Sequence, residues 1–155
     1  MFSKFTAAFV AFAIALVQVN AETHTVSFAN KCGRGTPYLR AMNGQVLSNG
    51  ANYTINGPLI SAIAYLQTGD CGNNGEKCTL IETTLKNGYS STDISLIPPH
   101  EFSVTSGFDY YDGCDGQGAD CTSENCTSAF HTSDQTWVQV GCPVDNENLL
   151  IKFCD

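Results

Sequence analysis

Basic side chains are scarce in this chain: seven Lys and Arg stand against fifteen Asp and Glu, a formal net charge of −8. Such a surface offers little to a phosphate polymer or an anionic bilayer, so neither nucleic acid nor a membrane is an expected partner. Cationic partners and neutral glycans stay open. After the N-terminal segment no run approaches the roughly 20 apolar residues that a spanning helix needs. Nor is there an apolar C-terminal tail of the kind that precedes a lipid anchor. A convincing 3.6-residue hydrophobic period is missing there too, and no internal repeat stands out. G-x-S-x-G does not occur, so no nucleophile is singled out. His24, His100 and His131 show no metal-ligand spacing, and neither a metal nor a cofactor is expected.

What is present begins with Lys4, followed by the apolar run Phe5 to Val17, broken only by Thr6, and by the small-residue site Val19-Asn20-Ala21 before Glu22. This is the grammar of a secretory signal peptide, residues 1–21, with cleavage leaving 22–155 as one secreted, extracellular domain. The rival reading, a membrane anchor, fails on length. Without Lys4 the mature chain has six basic and fifteen acidic residues, a net charge of about −9. All eight cysteines (Cys32, Cys71, Cys78, Cys114, Cys121, Cys126, Cys142 and Cys154) follow the leader. An even count in an oxidising compartment reads as four disulfides. Only Cys121-x₄-Cys126 approaches a zinc-ligand spacing, without a partner pair. Counting alone leaves the connectivity open.

Short segments rich in β-branched and aromatic residues recur along the chain: 24–29, 52–56, 60–66, 79–85, 92–97, 102–105, 136–140 and 149–153. The turn dipeptides Asn43-Gly44, Asn49-Gly50, Asn56-Gly57, Asn74-Gly75 and Asn87-Gly88 punctuate the first part of the chain. This rhythm predicts an all-β protein, an antiparallel sandwich or barrel. The stretch 109–134 differs, with three cysteines, three glycines, six acidic residues and few large aliphatics. It cannot organise around its own apolar core, and is expected to be a small disulfide-stapled acidic lobe.

Alternation along 79–85 and 92–97 sets Ile81, Leu85, Ile94 and Leu96 on buried faces, and Glu82 and Asp93 on the opposite faces. If the two strands pair, the carboxylates become neighbours. They are then fit either to hydrogen-bond sugar hydroxyls or to act as acid and base on a glycoside; two solvated strand residues is the plain alternative. Asn52-Tyr53-Thr54 and Asn125-Cys126-Thr127 are N-glycosylation sequons, the second with a cysteine that competes for the site. Asp109, Asp112, Asp115 and Asp120 lack the spacing of an EF-hand calcium loop. Trp137 and the tyrosines are expected in the core or in lobe packing.

Several segments, taken in order, resemble the motifs of one known protein family. Asn30-Lys31-Cys32 resembles its opening N-N-C, and Leu47 to Asn56 resembles the segment before its variable loop. Thr68-Gly69-Asp70-Cys71-Gly72 followed by Cys78 is similar to T-G-D-C-G…C. Leu80-Ile81-Glu82-Thr83-Thr84-Leu85 resembles L-A-E-F-T-L, and Thr92-Asp93-Ile94-Ser95-Leu96 with Phe102 resembles Y-D-[VI]-S-L and its following Phe. Lys152-Phe153-Cys154-Asp155 resembles the closing V-F-C-P. Ile97-Pro98-Pro99-His100 and Gly113-Cys114-Asp115-Gly116 are also similar to small secreted glycopeptide-type proteins of mushroom-forming fungi.

The family these segments resemble is that of the thaumatin-like proteins. The resemblance implies a thaumatin-like antiparallel β-sandwich with a small disulfide-stapled lobe and an acidic cleft. It implies the pairs Cys32–Cys154 and Cys71–Cys78, and leaves Cys114–Cys121 with Cys126–Cys142 as the best remaining arrangement. The family's cleft holds one arginine, one glutamate and three aspartates. Glu82 and Asp93 carry over; the arginine does not, since Ser61 to Leu66 is without a basic residue, and Pro98 stands where the next aspartate is expected. Glu101 or His100 is the partial substitute, and Asp109, Asp112, Asp115 and Asp120 are candidates for the last. The expected function is a secreted, non-catalytic, monomeric protein binding cell-wall polysaccharide of the β-glucan type, in a fungal wall, in development or in host interaction. The alternatives are an effector or defence protein with a host protein target, and a weak β-1,3-glucanase using Glu82 and Asp93.

Overall fold

The computed structural model describes residues 21–155; the expected leader, apart from Ala21, lies outside the described residues. Twelve strands follow in chain order: β1 Thr23–Asn30, β2 Thr36–Arg40, β3 Val46–Ser48, β4 Tyr53–Asn56, β5 Leu59–Gln67, β6 Leu80–Leu85, β7 Ser90–Ser95, β8 Ser106–Tyr111, β9 Gly118–Cys121, β10 Ala129–Phe130, β11 Val140–Cys142 and β12 Asn148–Phe153. One turn of 3₁₀ helix, Thr136–Val138, precedes β11. The strands form a five-stranded sheet, β4-β1-β12-β8-β9, and a seven-stranded sheet, β10-β7-β6-β5-β2-β3, with β11 also on β7. All pairs are antiparallel except β1 with β12 and β10 with β7.

The inner faces pack on one another through Val26, Leu39, Ala64, Ile81, Leu85, Ile94, Phe108, Leu149, Ile151 and Phe153, all essentially without solvent contact. Period-two alternation puts these residues there, because a one-residue slip would turn each to water. Three hydroxyl groups share this layer. The Thr83 and Thr92 hydroxyls lie 2.7 Å apart, and the Tyr110 hydroxyl donates to Thr92 Oγ1 at 2.9 Å or Val140 O at 3.0 Å. These partners satisfy groups whose burial alone would cost stability, and burial pushes the Tyr110 phenol up to about 12.

The outer face of the seven-stranded sheet is half covered. The loop closed by Cys71–Cys78 lies over Tyr65 and Leu80. Gly75 makes this approach possible: its φ is +79°, and a Cβ there would sit 2.5 Å from Leu80 Cδ1. The rest of this face stays open.

The disulfides are Cys32–Cys154, Cys71–Cys78, Cys114–Cys142 and Cys121–Cys126. The first two are the pairs implied by the family resemblance; the other two replace the expected Cys114–Cys121 and Cys126–Cys142. The reason is β9. Cys114 sits in the β8–β9 turn, whereas β9 runs away from that turn until Cys121 stands opposite Ser106. Three extended steps cover about 10 Å, more than the roughly 7 Å of Cα separation that a disulfide tolerates. Cys114 instead reaches β11 and ties the hairpin to the other sheet.

The 109–134 stretch is thus cross-linked, and it also contributes strands to both sheets: the end of β8, β9 and β10. Two expected strands shift. Residues 102–105 are irregular and the strand begins at Ser106, while 136–140 divides between the 3₁₀ turn and β11.

Candidate functional site

The β6–β7 register sets Glu82 directly opposite Asp93, Thr83 opposite Thr92 and Ile81 opposite Ile94. Because Ile81, Thr83, Thr92 and Ile94 face inward, the two carboxylates emerge together on the open outer face. A lateral row continues through Ile63 on β5 to Arg40 on β2. Arg40 on β2 thus stands in the same lateral row as Glu82, two strands away. At about 4.8 Å per strand, its backbone stands about 10 Å from that of Glu82. Its guanidinium is engaged elsewhere, donating to Tyr65 Oη, Gly44 O and Asn73 Oδ1 at 3.0, 3.0 and 3.3 Å, and lying 5.4 Å from the centre of the Tyr38 ring.

A groove of about 410 Å³ opens over the carboxylate pair. Its walls include Ser61, Thr84, Tyr89, Ser91, Ser133 and Gln139. Local structure places each. A bulge in β5 between Leu59 and Ala62 gives Ser61 a φ of 48° and lets its N–H donate to Thr84 Oγ1 at 3.0 Å. The β6–β7 turn closes by a 2.8 Å bond from Tyr89 N to Lys86 O and leaves Tyr89 69% exposed at the rim. On the other side, β7 changes partner. β11 pairs with it up to Thr92 and β10 from Ile94, so Asp93 falls at the junction.

Asp93 is only 6% exposed, whereas Glu82 is open to solvent. Gln139 Nε2 donates to Asp93 Oδ2 at 3.3 Å, and Asp93 Oδ1 has no hydrogen-bond partner among the described residues. Burial first, and the like charge of Glu82 second, push the Asp93 carboxyl up to about 6 against the partial offset of Gln139. A pair of this kind can accept sugar hydroxyls, share a proton or hold a cation.

Glu101, expected with Glu82 and Asp93, is elsewhere. With His100 it borders a second hollow of about 380 Å³, shared with Pro98, Pro99, Glu124 and His131. The cis Pro98-Pro99 bond lies in this segment. Each histidine has one ring nitrogen on a carbonyl, His100 Nδ1 with Gly75 O at 3.0 Å and His131 Nε2 with Cys126 O at 2.9 Å. The four candidate aspartates do not line the groove either. Lys152 joins Asp109 and Asp120 at 2.8 and 2.9 Å on the five-stranded sheet, Asp112 accepts from Asn148, and Asp115 accepts from the Asp112 N–H. Asn52 and Asn125 are both exposed. Trp137, expected to be packed, is 72% exposed on the 3₁₀ turn that leads to Gln139. Sequence reasoning had no signal for Tyr89, Ser133 or Gln139 as groove residues, since turns and a half-strand bring them there.

No family model and no curated protein matches the sequence. Among solved structures, the chain is similar to the thaumatin-like xylanase inhibitor TLXI, with a TM-score of 0.57 and 19% identity, over 85% of this chain and 99% of that one. The fold is thaumatin-like. At this identity the likeness speaks for the fold, and chemistry must be argued from the groove of this thaumatin-like chain itself.

Proposed function

We propose that the protein is secreted and binds cell-wall polysaccharide in the groove over Glu82 and Asp93 without cleaving it. One observation carries this reading: hydroxyl and amide side chains wall an open groove with an exposed aromatic ring, Tyr89, at its rim and two carboxylates at its floor. A pyranose ring offers an apolar face to such an aromatic, and its hydroxyls meet the polar wall. Binding rather than hydrolysis is favoured because Asp93 Oδ1 lies out of solvent reach, where it is poorly placed to protonate a leaving group. Four disulfides fit an oxidising, extracellular setting. The β-glucan class and a fungal origin, in wall, development or host interaction, rest on the family resemblance alone.

The mature protein should sediment with insoluble β-glucan or chitin, and Tyr89→Ala should reduce retention about tenfold, as loss of a stacking aromatic does. Failure to sediment with either polymer would defeat the proposal. Reducing-sugar release from β-1,3-glucan that disappears in Glu82→Gln would establish the glucanase alternative instead.

A second reading is an inhibitor or effector that binds a polysaccharide-degrading enzyme. The name of the structural neighbour and the exposed Trp137 favour it. Inhibition of such an enzyme, lost in Trp137→Ala with glycan retention unchanged, would support it.

A further inference from the structure

We infer that the groove selects glycans bearing free amino groups, as in deacetylated chitin, with the Glu82–Asp93 pair receiving the ammonium. The inference rests on the glycan-binding reading and adds the chemical class of the sugar. Like charges placed directly opposite on paired strands repel, and here the register imposes that placement. Asp93 is more than nine-tenths buried at the groove floor, with Oδ1 unpartnered among the described residues and closed to solvent. An ammonium therefore bonds the exposed Glu82 and meets Asp93 as a neighbouring, uncompensated charge. No Lys or Arg lines the groove among the described residues, and Arg40, in the same row, spends its donors on Tyr65, Gly44 and Asn73. The pair thus lacks a cation, and a ligand ammonium supplies one with three donors. A bare divalent ion fits less well, since calcium takes about six to eight oxygen ligands. Ser61, Thr84, Ser91, Ser133 and Gln139 suit the ring hydroxyls, and Tyr89 the ring face. An amino sugar combines all three chemistries.

Proton linkage gives the inference a signature. The titratable groups facing Asp93 are Glu82 from β6 and the Tyr110 phenol from β8; β10 and the segment after it bring the uncharged Phe130 and Ser133, and β11 is entered through Gln139. With Asp93 half-protonated near pH 6 in the free protein, an arriving ammonium favours the carboxylate and expels the proton. Binding therefore weakens as pH falls below about 6.

The experiment is calorimetric titration of the disulfide-bonded protein at about pH 5.5, where an amino sugar is already ammonium and Asp93 still carries most of its proton. The titrants are three oligomers of equal length: β-1,4-glucosamine, its N-acetylated form and β-1,3-glucan. Two buffers of different ionisation enthalpy count the protons. The glucosamine oligomer is expected to bind about tenfold or more tightly than its acetylated form, as a charge-assisted hydrogen bond would give, with net proton release. Glu82→Gln and Asp93→Asn should each lose about tenfold in affinity, and Asp93→Asn should also lose the proton release. Asp145→Asn, the same charge change at an exposed residue outside the groove, should change neither. Equal affinity for the charged and acetylated oligomers, preference for the neutral glucan, or equal losses in all three variants would overturn the inference. Neutral-glucan binding would leave the glycan-binding reading standing. Binding of none of the three oligomers would remove both.

Discussion

Glu82 and Asp93 face each other across the β6–β7 ladder, one exposed and the other buried where β7 changes partner from β11 to β10. Their register brings two negative charges together on a wall that offers them, among the described residues, a single hydrogen bond, from Gln139. The arrangement works against the fold at neutral pH and leaves a complement for a ligand to supply.

The stability consequence has a definite direction. The folded-state pKa of Asp93 is raised from 3.8 to about 6, so between those values the folded protein binds more protons than the unfolded chain. Its contribution to stability is therefore best in acid and declines as pH rises from about 4 to 6, opposite to a salt-bridged aspartate. A rise of this size corresponds to at most about 3 kcal/mol. Asp93→Asn should be more stable than the parent at pH 7 by up to that amount, and the advantage should vanish near pH 4. Urea denaturation at both pH values checks this; a variant less stable than the parent at pH 7 would refute it.

The sandwich and the carboxylate pair were legible in the sequence because alternation is a local signal. Ile81, Leu85, Ile94 and Leu96 mark one face of each strand, and Glu82 and Asp93 must then take the other. The groove was less legible. Tyr89 comes from a turn, Ser61 from a bulge, and Gln139 from the residue before a three-residue strand, none of which leaves a periodic trace. Arg40 escapes because Thr36–Arg40 starts with Thr-Pro and carries little strand signal of its own. The lobe cysteines are hard to pair for a related reason. Gly118–Cys121 has too little β-branched or aromatic content to announce an extended segment, yet its extension is what separates Cys114 from Cys121.

A second buried polar cluster holds the edge of the sandwich. His24 is 1% exposed, with Nδ1 2.8 Å from Glu147 O and Nε2 3.2 Å from Glu22 Oε1, while the buried Glu147 carboxylate accepts from the Ser90 hydroxyl. Glu147→Ala leaves the Ser90 hydroxyl with Lys86 O as its remaining acceptor and removes the carboxylate beside His24. A lost hydrogen bond to a charged group costs about 1.5–3 kcal/mol. The variant should unfold at lower urea concentration than the parent, with Glu147→Gln recovering part of the loss. Parent-like midpoints for Glu147→Ala would show that the cluster contributes nothing.

The two sequons should behave differently in a secretory host. Asn52 lies exposed just before β4, with Thr54 in place two residues on. At Asn125 the middle residue, Cys126, is tied to Cys121, which restrains the backbone that the transferase must engage. Glycopeptide mass spectrometry should find Asn52 occupied and Asn125 largely bare, with occupancy at Asn125 rising in a Cys121→Ser/Cys126→Ser variant. Full occupancy at Asn125 in the parent would contradict the expected competition.

The four disulfides should differ sharply in what they contribute. Cys32–Cys154 joins the end of β1 to the residue after β12 and closes a separation of 122 residues; Cys121–Cys126 closes one of 5. In the chain-entropy model the first restricts the unfolded state by about 5 kcal/mol and the second by about 2. Cys114–Cys142, with a separation of 28, falls between them and is also the bond that ties the β8–β9 turn to the opposite sheet. Replacing both cysteines of each pair by serine should lower stability in the order Cys32–Cys154, Cys114–Cys142, Cys71–Cys78, Cys121–Cys126, read from urea midpoints. Non-reducing peptide mapping of the parent comes first, and a Cys114–Cys121 linkage would remove the basis for the ranking. If mapping gives the four bonds seen here and the short-loop variant still proves the least stable, native-state packing around Cys121, which has no solvent exposure, outweighs loop entropy.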